Sequence, residues 1–180
     1  PVFVYTNYPT AELFINGKSY GKQSKNNSSL KSRYRLMWMD AVYEPGEVKV
    51  VAYNKDGKAV AEKTVRTAGK PHHIELVSNR NELTADGKDL AYVTVKVVDK
   101  DGNLCPTDSR LIHFSVKGAG KFRAVANGDP TNLEQFHLPK MHAFHGMLTA
   151  IVQAGEIAGD LVLTAKASGV KTGTVHLQAK

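Results

Sequence analysis

Residues 90–103 read Leu-Ala-Tyr-Val-Thr-Val-Lys-Val-Val-Asp-Lys-Asp-Gly-Asn. Within this stretch, valines alternate with threonine and lysine over residues 93–97, which is the two-residue period of a strand with one buried face. The dipeptide Asp101-Gly102 follows and supplies the positive-φ position that tight turns between strands require. The stretch therefore predicts a β-strand that ends in a tight turn.

The same pattern recurs along the chain, with no convincing amphipathic helix. Strands are predicted at 2–6, 11–15, 19–22, 33–39, 47–53 and 59–66, and then at 73–78, 82–84, 90–98, 111–117, 121–126, 146–153 and 160–178, the last as a hairpin. Asn16-Gly17, Asp56-Gly57, Asp86-Gly87 and Asn127-Gly128 supply further hairpin turns, Pro45-Gly46 suits a type II turn, and Asp129 to Phe136 is predicted to form one helical turn.

Many short strands with such turns indicate antiparallel sandwiches. A boundary is expected near Gly69-Lys70-Pro71, because each side of it holds enough strands to close its own sandwich. We predict an all-β chain of two tandem immunoglobulin-like antiparallel β-sandwich domains, residues 1–69 and 70–180.

The composition is that of an ordinary globular protein, with 42% hydrophobic and 23% charged residues among 180. No apolar run approaches the roughly 20 residues of a membrane span. Residue 1 is Pro1 and already leads into a strand, so we expect an excised fragment whose targeting signal lies upstream. The single cysteine, Cys105, excludes an intrachain disulfide, and we expect it to be a buried or loop thiol.

The net charge of +7 is concentrated in one basic stretch. Six cations and no acidic residue lie between Leu13 and Met39: Lys18, Lys22, Lys25, Lys31, Arg33 and Arg35. Such a block could bind a polyanion, although a solvated loop and strand face is the favoured interpretation. No nucleic-acid partner is predicted.

Catalysis of glycoside cleavage requires two carboxyl groups about 5 to 9.5 Å apart across a sugar. Most acidic residues of this chain are predicted in turns or alone on a strand face, so none of them forms such a pair. Those in turns are Asp56, Asp86, Asp99 and Asp101, and those on strand faces are Glu12, Glu62 and Glu75. A barrel of the kind that carries such pairs takes about 250 residues, more than this chain has. We predict no catalytic residue, and no enzymatic activity for this chain by itself.

No metal site or cofactor is predicted either. Residues 99–103 depart from a calcium loop, because glycine comes fourth and Arg110 stands twelfth, so a hairpin turn is expected. His137, His142 and His145 cluster near Met141, but their spacing matches no zinc pattern and no carboxylate joins them in sequence. The stretch Gly118-Ala119-Gly120-Lys121 lacks the spacing of a phosphate loop and predicts a bend between strands.

Exposed aromatic side chains are the usual means of stacking on sugar rings. Trp38 alternates with Tyr34 and Leu36, which predicts a buried tryptophan in a sandwich core. Tyr5, Tyr8, Tyr20 and Tyr43 are candidates for an exposed platform, but no pattern aligns them. The carbohydrate-binding residues therefore stay undefined.

Two groups of motifs carry a family resemblance. The first group is Ala-Glu-Leu-Phe-Ile-Asn-Gly-Lys-Ser-Tyr-Gly at 11–21, followed by Tyr-Glu-Pro-Gly-Glu-Val at 43–48. The second group begins with Leu-Thr-Ala-Asp-Gly-Lys-Asp-Leu at 83–90, Val-Thr-Val at 93–95 and Asp-Lys-Asp-Gly-Asn at 99–103. It ends with Ala-Asn-Gly-Asp-Pro at 126–130 and Ala-Phe-His-Gly at 143–146. In this order, over residues 2–178, they resemble the C-terminal accessory domains of bacterial family 2 glycoside hydrolases of the β-galactosidase type. Two positions depart: Asp40-Ala41-Val42 replaces a valine-proline pair that the family often has, and His145 stands where a small or amide residue is expected.

The resemblance implies a parent enzyme, periplasmic or extracellular, that removes terminal galactose or a similar sugar. The family's catalytic glutamates lie in an upstream barrel, and none is carried over to this chain. Its role would be to pack beside that barrel as a scaffold, to shape the substrate entrance or to mediate oligomer contacts.

Three alternatives stay open. One is a carbohydrate-binding module with a polysaccharide or oligosaccharide as its partner, which needs an exposed aromatic strip. Another is an adhesin-type surface protein, since residues 85–89 also resemble the opening of bacterial surface repeats. The third is a polyanion binder built on residues 18–35.

Overall fold

The computed structural model describes residues 1–180, all of them in strands, turns or loops. The chain divides into two compact units, Pro1–Thr67 and Ala68–Lys180, whereas the sequence placed the division after residue 69. Each unit is an antiparallel, immunoglobulin-like β-sandwich, which confirms the predicted fold class. The chain has no helix that is long and apolar enough to cross a membrane.

Unit 1 is built from six strands. They are β1 (Val2–Val4), β2 (Thr10–Ile15), β3 (Lys18–Ser24), β4 (Leu36–Trp38), β5 (Glu47–Tyr53) and β6 (Ala59–Arg66). One sheet has the order β3-β2-β5-β6, and the facing sheet consists of β1 and β4 alone. Because a two-stranded sheet covers only part of a four-stranded one, β6 is exposed at every position except Thr64, which is half-buried.

The core of unit 1 contains seven buried residues, with Trp38 at its centre. Ala11, Leu13 and Ile15 alternate along β2 and turn one face of that strand inward. Trp38 is 1% exposed, and its Nε1–H donates to the main-chain oxygen of Gly21 at 3.0 Å. The predicted burial of this tryptophan is confirmed, and its one polar group has a partner.

Unit 2 is built from nine strands. They are β7 (His73–Ser78), β8 (Glu82–Leu83), β9 (Leu90–Val98), β10 (Leu111–Gly118), β11 (Gly120–Ala126), β12 (Lys140–His142), β13 (Met147–Ala154), β14 (Gly159–Lys166) and β15 (Gly173–Ala179). The two sheets have the orders β12-β10-β14-β15-β8 and β11-β13-β9-β7. All pairs are antiparallel except β8 with β15. Their inner faces enclose a core of twenty buried hydrophobic residues.

Several local predictions are corrected by the structure. The strand predicted at 33–39 is shorter and leaves Tyr34 exposed, and β12 was not predicted. The predicted helical turn is wrong. Residues 129–132 instead form one turn, which Asn132 N–H closes by donating to the main-chain oxygen of Asp129 at 3.2 Å. The Asp129 carboxylate accepts the N–H of Thr131 at 2.9 Å.

The turn dipeptides play more varied roles than predicted. Asn16-Gly17 and Asp56-Gly57 do join strands that pair with each other. The other three dipeptides do not connect two strands that pair with each other. Asp86-Gly87 connects β8 and β9, which belong to different sheets, and Asp101-Gly102 follows β9, which pairs with β7 and β13 and not with the next strand. Asn127-Gly128 begins the long loop after β11. The type II turn predicted at Pro45-Gly46 is not closed by a main-chain hydrogen bond. The N–H of Glu47 donates instead to the side-chain oxygen of Asn16 at 2.8 Å.

Candidate functional site

A shallow cavity of about 640 Å³ lies on the solvent-facing side of the β11-β13-β9-β7 sheet in unit 2. Its sheet-borne lining includes Leu90 of β9, Ile151 of β13 and Ala124 of β11. Ile151 lies directly between Ala124 and Tyr92 in the strand register, so these side chains form one row across three strands. This row is an apolar floor on a face that a free-standing sandwich normally covers with polar residues.

Arg123 reaches the rim of this cavity because of a β-bulge in β11. Phe122 pairs with Val152 and Ala124 pairs with Ile151, so Arg123 is an extra residue opposite none. The extra residue reverses the inward-outward alternation: Phe122 packs against the core, Val125 is fully buried, and both Arg123 and Ala124 line the outer cavity. Bulges are frequent where a sheet must aim a side chain at a ligand.

The loop between β11 and β12 forms the wall of the cavity with Leu133, Glu134, Gln135, Phe136 and His137. The N–H of Val125 donates to the main-chain oxygen of Phe136 at 2.8 Å, and the N–H of Phe114 donates to that of Pro139 at 2.8 Å. These bonds tie the loop to two strands, so the wall is held in place although it has no regular structure.

A more polar cavity of about 500 Å³ adjoins the first and shares Arg123 and His137 with it. Lys121 and Gln153, which are opposite each other in the register of β11 and β13, complete its lining together with Phe122. The side chains of Lys121, Arg123 and His137 make no ion pair or hydrogen bond within the chain. The rim of the apolar floor therefore carries two free cationic side chains.

Glu134 is the one acidic residue in the lining of either cavity, and it is already bound. Its carboxylate contacts the Nδ1 of His142 at 3.0 Å and accepts the main-chain N–H of His142 at 3.1 Å. The sequence analysis found no carboxylate with the three histidines, whereas in the structure one of them, His142, contacts Glu134. A glutamate eight residues from His142 in sequence contacts it through the turn of the loop, which spacing alone did not reveal.

The structure does not bring the three histidines together. His137 lines the two cavities, His142 pairs with Glu134, and the Nδ1 of His145 contacts the main-chain oxygen of Pro106 at 3.2 Å. No group of three metal-binding side chains converges anywhere in the chain. His145 has a φ of +52°, a conformation that favours glycine and asparagine, which accounts for the small or amide residue expected there.

Six carboxyl groups have clearly shifted pKa values, and all six pKa values are lowered: Glu12, Asp86, Asp89, Asp99, Asp108 and Asp129. In most of them the largest cause is a main-chain N–H that donates to the charged carboxylate. A glycosidase general acid requires the opposite shift, a pKa raised towards neutrality. These carboxylates are structural acceptors of hydrogen bonds.

The other candidates from the sequence also have local roles. Tyr5 and Tyr43 are exposed, whereas Tyr8 and Tyr20 pack against the core of unit 1, so the four tyrosines do not form one exposed platform. The predicted bend at 118–121 is confirmed, and Cys105 is buried at 3% exposure.

In the basic stretch, five of the six cations already contact groups of their own unit, and one of these is Lys18, whose ammonium lies 5.7 Å from the centre of the Tyr20 ring. Lys25 binds the main-chain oxygen of Thr6, Arg33 that of Asn27, Arg35 that of Lys31, and the ammonium of Lys22 lies 3.9 Å from the centre of the Tyr53 ring. The stretch is therefore largely engaged in holding its own loops.

Comparison with known proteins gives matches over both units. Residues 74–176 match the glycoside hydrolase family 2 C-terminal domain 5, and residues 1–61 match a domain of unknown function (DUF4982).

Among individual proteins, the chain is 42% identical over 176 residues to the β-galactosidase BoGH2A of Bacteroides ovatus, covering 98% of this chain and 20% of that protein. It is 26% identical to a β-glucuronidase of Formosa agariphila, covering 99% and 18%. A crystal structure of a glycosyl hydrolase family 2 member from Bacteroides cellulosilyticus superimposes with a TM-score of 0.86 at 32% identity, covering 99% of this chain and 22% of that one. The chain thus spans about a fifth of the length of each of these relatives.

Proposed function

The chain belongs to glycoside hydrolase family 2, whose C-terminal domain 5 it carries, and on that premise we propose that it is a non-catalytic accessory region of a larger sugar-cleaving enzyme. The resemblance indicated by the ordered motifs is thereby confirmed. The finer role proposed here is that of a scaffold, which packs beside the catalytic barrel of the same polypeptide.

The observation that carries the proposal is the match to a C-terminal domain of the family, in a chain that spans only about a fifth of its relatives' length. The carboxyl groups with shifted pKa values agree with it. All six clearly shifted carboxyl pKa values are lowered, and the shifted groups are held by hydrogen bonds within turns, by Ser19 or by Arg110. Such groups stay ionised and cannot act as the proton donor that glycoside cleavage requires. In addition, each unit has its own hydrophobic core, which is what a supporting module needs.

The parent reaction that we propose is hydrolysis of a terminal β-galactoside or a related β-glycoside. The support is the 42% identity to a β-galactosidase, together with the more distant β-glucuronidase. The test compares the 180-residue chain with the full-length parent on aryl β-galactoside and aryl β-glucuronide. We expect turnover by the parent alone, and turnover by the isolated chain would overturn the proposal.

Deletion of this region from the parent separates three versions of the accessory role. A scaffold role predicts a lower Tm of the remaining protein with an unchanged KM for a small aryl galactoside. A role at the substrate entrance predicts a raised KM for long oligosaccharides but not for the aryl galactoside. A role in oligomer contacts predicts a smaller mass in solution. We expect the first result, and an unchanged Tm would contradict it.

We also propose that the parent enzyme is periplasmic or extracellular. The support is the family resemblance of the ordered motifs, which implies an exported parent enzyme. Fractionation of the producing cells, followed by detection of the parent protein with an antibody to this chain, tests the location. Its recovery in the cytoplasmic fraction would contradict it.

A second candidate function, carbohydrate binding, is favoured by one observation: an apolar cavity with an aromatic wall and a free cationic rim on the outer face of unit 2. The geometry of that cavity points to a particular kind of sugar.

A further inference from the structure

We propose that the two adjoining cavities, the apolar one with Phe136 and Ile151 and the polar one with Lys121, which share Arg123, together bind a carboxylated sugar, that is, a uronic acid unit of an oligosaccharide. This inference goes beyond the scaffold role. It rests on the proposed function in one respect only: a sugar is chosen among carboxylates because the chain belongs to a sugar-cleaving family.

The apolar floor matches one face of a sugar ring. A pyranose presents C–H groups on one face and hydroxyl groups around its edge, so it packs on aliphatic and aromatic surface while its edge reaches polar groups. Leu90 and Ile151 supply the aliphatic surface, and Phe136 supplies an aromatic ring that is 56% exposed. The exposed phenylalanine and the apolar floor form one continuous apolar surface that a sugar ring can cover.

The rim matches a carboxylate. Arg123 presents a planar guanidinium, which binds carboxylates through two parallel hydrogen bonds, and Lys121 adds a second positive charge two residues away on the same strand. Neither side chain has a partner within the chain. Glu134 is the only acidic side chain in the lining, and its one negative charge is outnumbered by the positive charges of Lys121 and Arg123, so the rim has a net positive charge.

Polar groups for the hydroxyl edge lie next to the cations. Gln153 is the cross-strand neighbour of Lys121, and its side-chain N–H donates to the main-chain oxygen of Gly87. That bond orients the amide and leaves its Oε1 as an acceptor for a sugar hydroxyl. His137, which lines both cavities, offers a ring nitrogen as a further partner.

The site is also preorganised. The bulge at Arg123 is a feature of the backbone, and it places this arginine and Ala124 on the same face of the sheet as the floor. The wall is fixed by the bond from Val125 N–H to the main-chain oxygen of Phe136 at 2.8 Å. Binding therefore requires little ordering of the backbone, and the cost of ordering falls on the free Lys121 and Arg123 side chains. Both cavities are shallow and open, as suits an internal unit of a chain of sugars.

The experiment is a calorimetric titration of the 180-residue chain with three oligosaccharides of equal length: an oligogalacturonide, the same oligogalacturonide with its carboxyl groups reduced to alcohols, and a glucuronate-containing oligosaccharide. We expect at least one of the two uronate ligands to bind, with binding at least about tenfold weaker for the carboxyl-reduced ligand. The two uronate arms distinguish galacturonate from glucuronate as the preferred unit. Equal binding of the reduced and carboxylated ligands, or no binding, would overturn the proposal.

The protein variants are chosen to keep the fold intact. Arg123→Gln, Lys121→Gln and Phe136→Ala alter exposed or partly exposed side chains that are not part of the core, and each is expected to weaken uronate binding about tenfold. Lys117→Gln removes the same charge from β10 in the other sheet and serves as the matched control, because only a non-specific attraction would make it equally harmful. An equal effect of Lys117→Gln, or tighter binding of a sulfated oligosaccharide of the same length, would overturn a carboxylate site.

Failure of this inference is distinguishable from failure of the proposed function. Hydrolysis of an aryl β-galactoside by the full-length parent tests the accessory role. In the full-length parent, Arg123→Gln should weaken retention on immobilised polyuronate, whereas Lys117→Gln should leave both retention and aryl β-galactoside hydrolysis unchanged. Equal loss of retention in the two variants would overturn the uronate site and leave the accessory role untouched.

Discussion

The main-chain N–H of Gly69 donates a hydrogen bond to the carboxylate of Asp99 at 2.8 Å, across thirty residues of sequence. Asp99 is 2% exposed and is the one buried charged residue of the chain. It also accepts the N–H groups of Asp101 and Asn103 at 2.9 and 2.8 Å, and the side-chain amide of Asn103. One carboxylate therefore joins the start of unit 2 to the turn that follows β9.

The first prediction concerns the charge of Asp99. The N–H of Gly69, aided by Asn103, holds the pKa of this carboxyl far below its ordinary value of 3.8. Because the pKa is lower in the folded state, the charged form stabilises the fold, fully above pH 4 or so, and this contribution is lost as the pH falls below that value. We expect Asp99→Asn to lower the urea midpoint of unit 2 at pH 7. When the pH is then lowered from 7 to 3, the midpoint of this variant should fall by less than that of the parent sequence, because the titrating group is absent.

Asp101→Asn is the matched control for this measurement, since Asp101 lies in the same turn and its side chain is exposed. We expect its urea midpoint at pH 7 to equal that of the parent sequence. If both variants lowered the midpoint equally, general charge rather than the bonds to Asp99 would be responsible.

Sequence patterns predicted most of the strands because alternation over five or more residues is a strong signal, as in β9 and β13. The same signal placed Trp38 in a core. It cannot detect β12, whose three residues span less than two periods. It is misleading at Arg123, where one extra residue reverses the phase between Phe122 and Val125.

The candidate site was not predicted because its parts come from separate segments. The floor combines residues of β9, β11 and β13, and the sequence of one strand does not show which other strands it pairs with. Asp99 illustrates the same limit: an aspartate before a glycine is typical of an exposed turn, and its burial depends on Gly69, thirty residues away. Local chemistry determines a strand or a turn, whereas a site depends on contacts between distant residues.

The second prediction concerns the pair Asp108 and Arg110. The arginine Nε lies 2.9 Å from both carboxylate oxygens of Asp108, whose side chain is 6% exposed, and its Nη1 donates to the main-chain oxygen of Ser168 at 2.7 Å. Burial alone would raise the pKa of Asp108, but the hydrogen bonds from Arg110 outweigh it and lower that pKa. Asp108→Asn leaves the guanidinium without its counter-ion, so we expect a loss of about 1–3 kcal/mol in the free energy of unfolding.

The measurement is a double-mutant cycle by urea denaturation with Asp108→Asn, Arg110→Gln and the double variant. We expect the double variant to lose less stability than the sum of the two single variants. The exposed pair Lys49 and Glu62 of unit 1, 3.4 Å apart, gives the reference: Lys49→Gln should change the free energy of unfolding by less than about 1 kcal/mol. Additive losses at Asp108 and Arg110 would contradict the expected coupling.

The third prediction concerns Gly120, where β11 begins. A Cβ at this position would overlap Leu161 and lie 2.6 Å from the main-chain oxygen of Gln153. Gly120 does not have a positive φ, so the obstacle to a side chain is contact alone. We expect Gly120→Ala to destabilise the fold by about 1–3 kcal/mol in thermal or urea unfolding. Gly69→Ala is the control, because its Cβ would meet its nearest neighbour at an ordinary 3.5 Å, and it should have a much smaller effect. Equal effects of the two substitutions would contradict the prediction, because they would show that the fold relieves the close contact at position 120 without losing stability.

The last prediction concerns the relative stability of the two units. Unit 1 encloses seven buried core residues and unit 2 encloses twenty, and the second sheet of unit 1 leaves β6 largely uncovered. Because stability rises with the apolar surface that folding removes from water, unit 1 should unfold at a lower denaturant concentration. The chain carries one natural probe in each unit: its only tryptophan, Trp38, lies in unit 1, and its only cysteine, Cys105, is buried in unit 2.

In one urea series, Trp38 fluorescence follows unit 1, while the extent of labelling of Cys105 by a brief pulse of thiol reagent follows unit 2. Burial is the largest cause that raises the pKa of the Cys105 thiol, so the folded unit keeps this group both shielded and protonated, and labelling begins only as unit 2 opens. We expect the fluorescence midpoint to precede the labelling midpoint. A Cys105→Ala variant should give the same fluorescence midpoint, which shows that the cysteine does not influence unit 1. Coincident midpoints would contradict the prediction, because they would mean that the two units unfold in one cooperative transition.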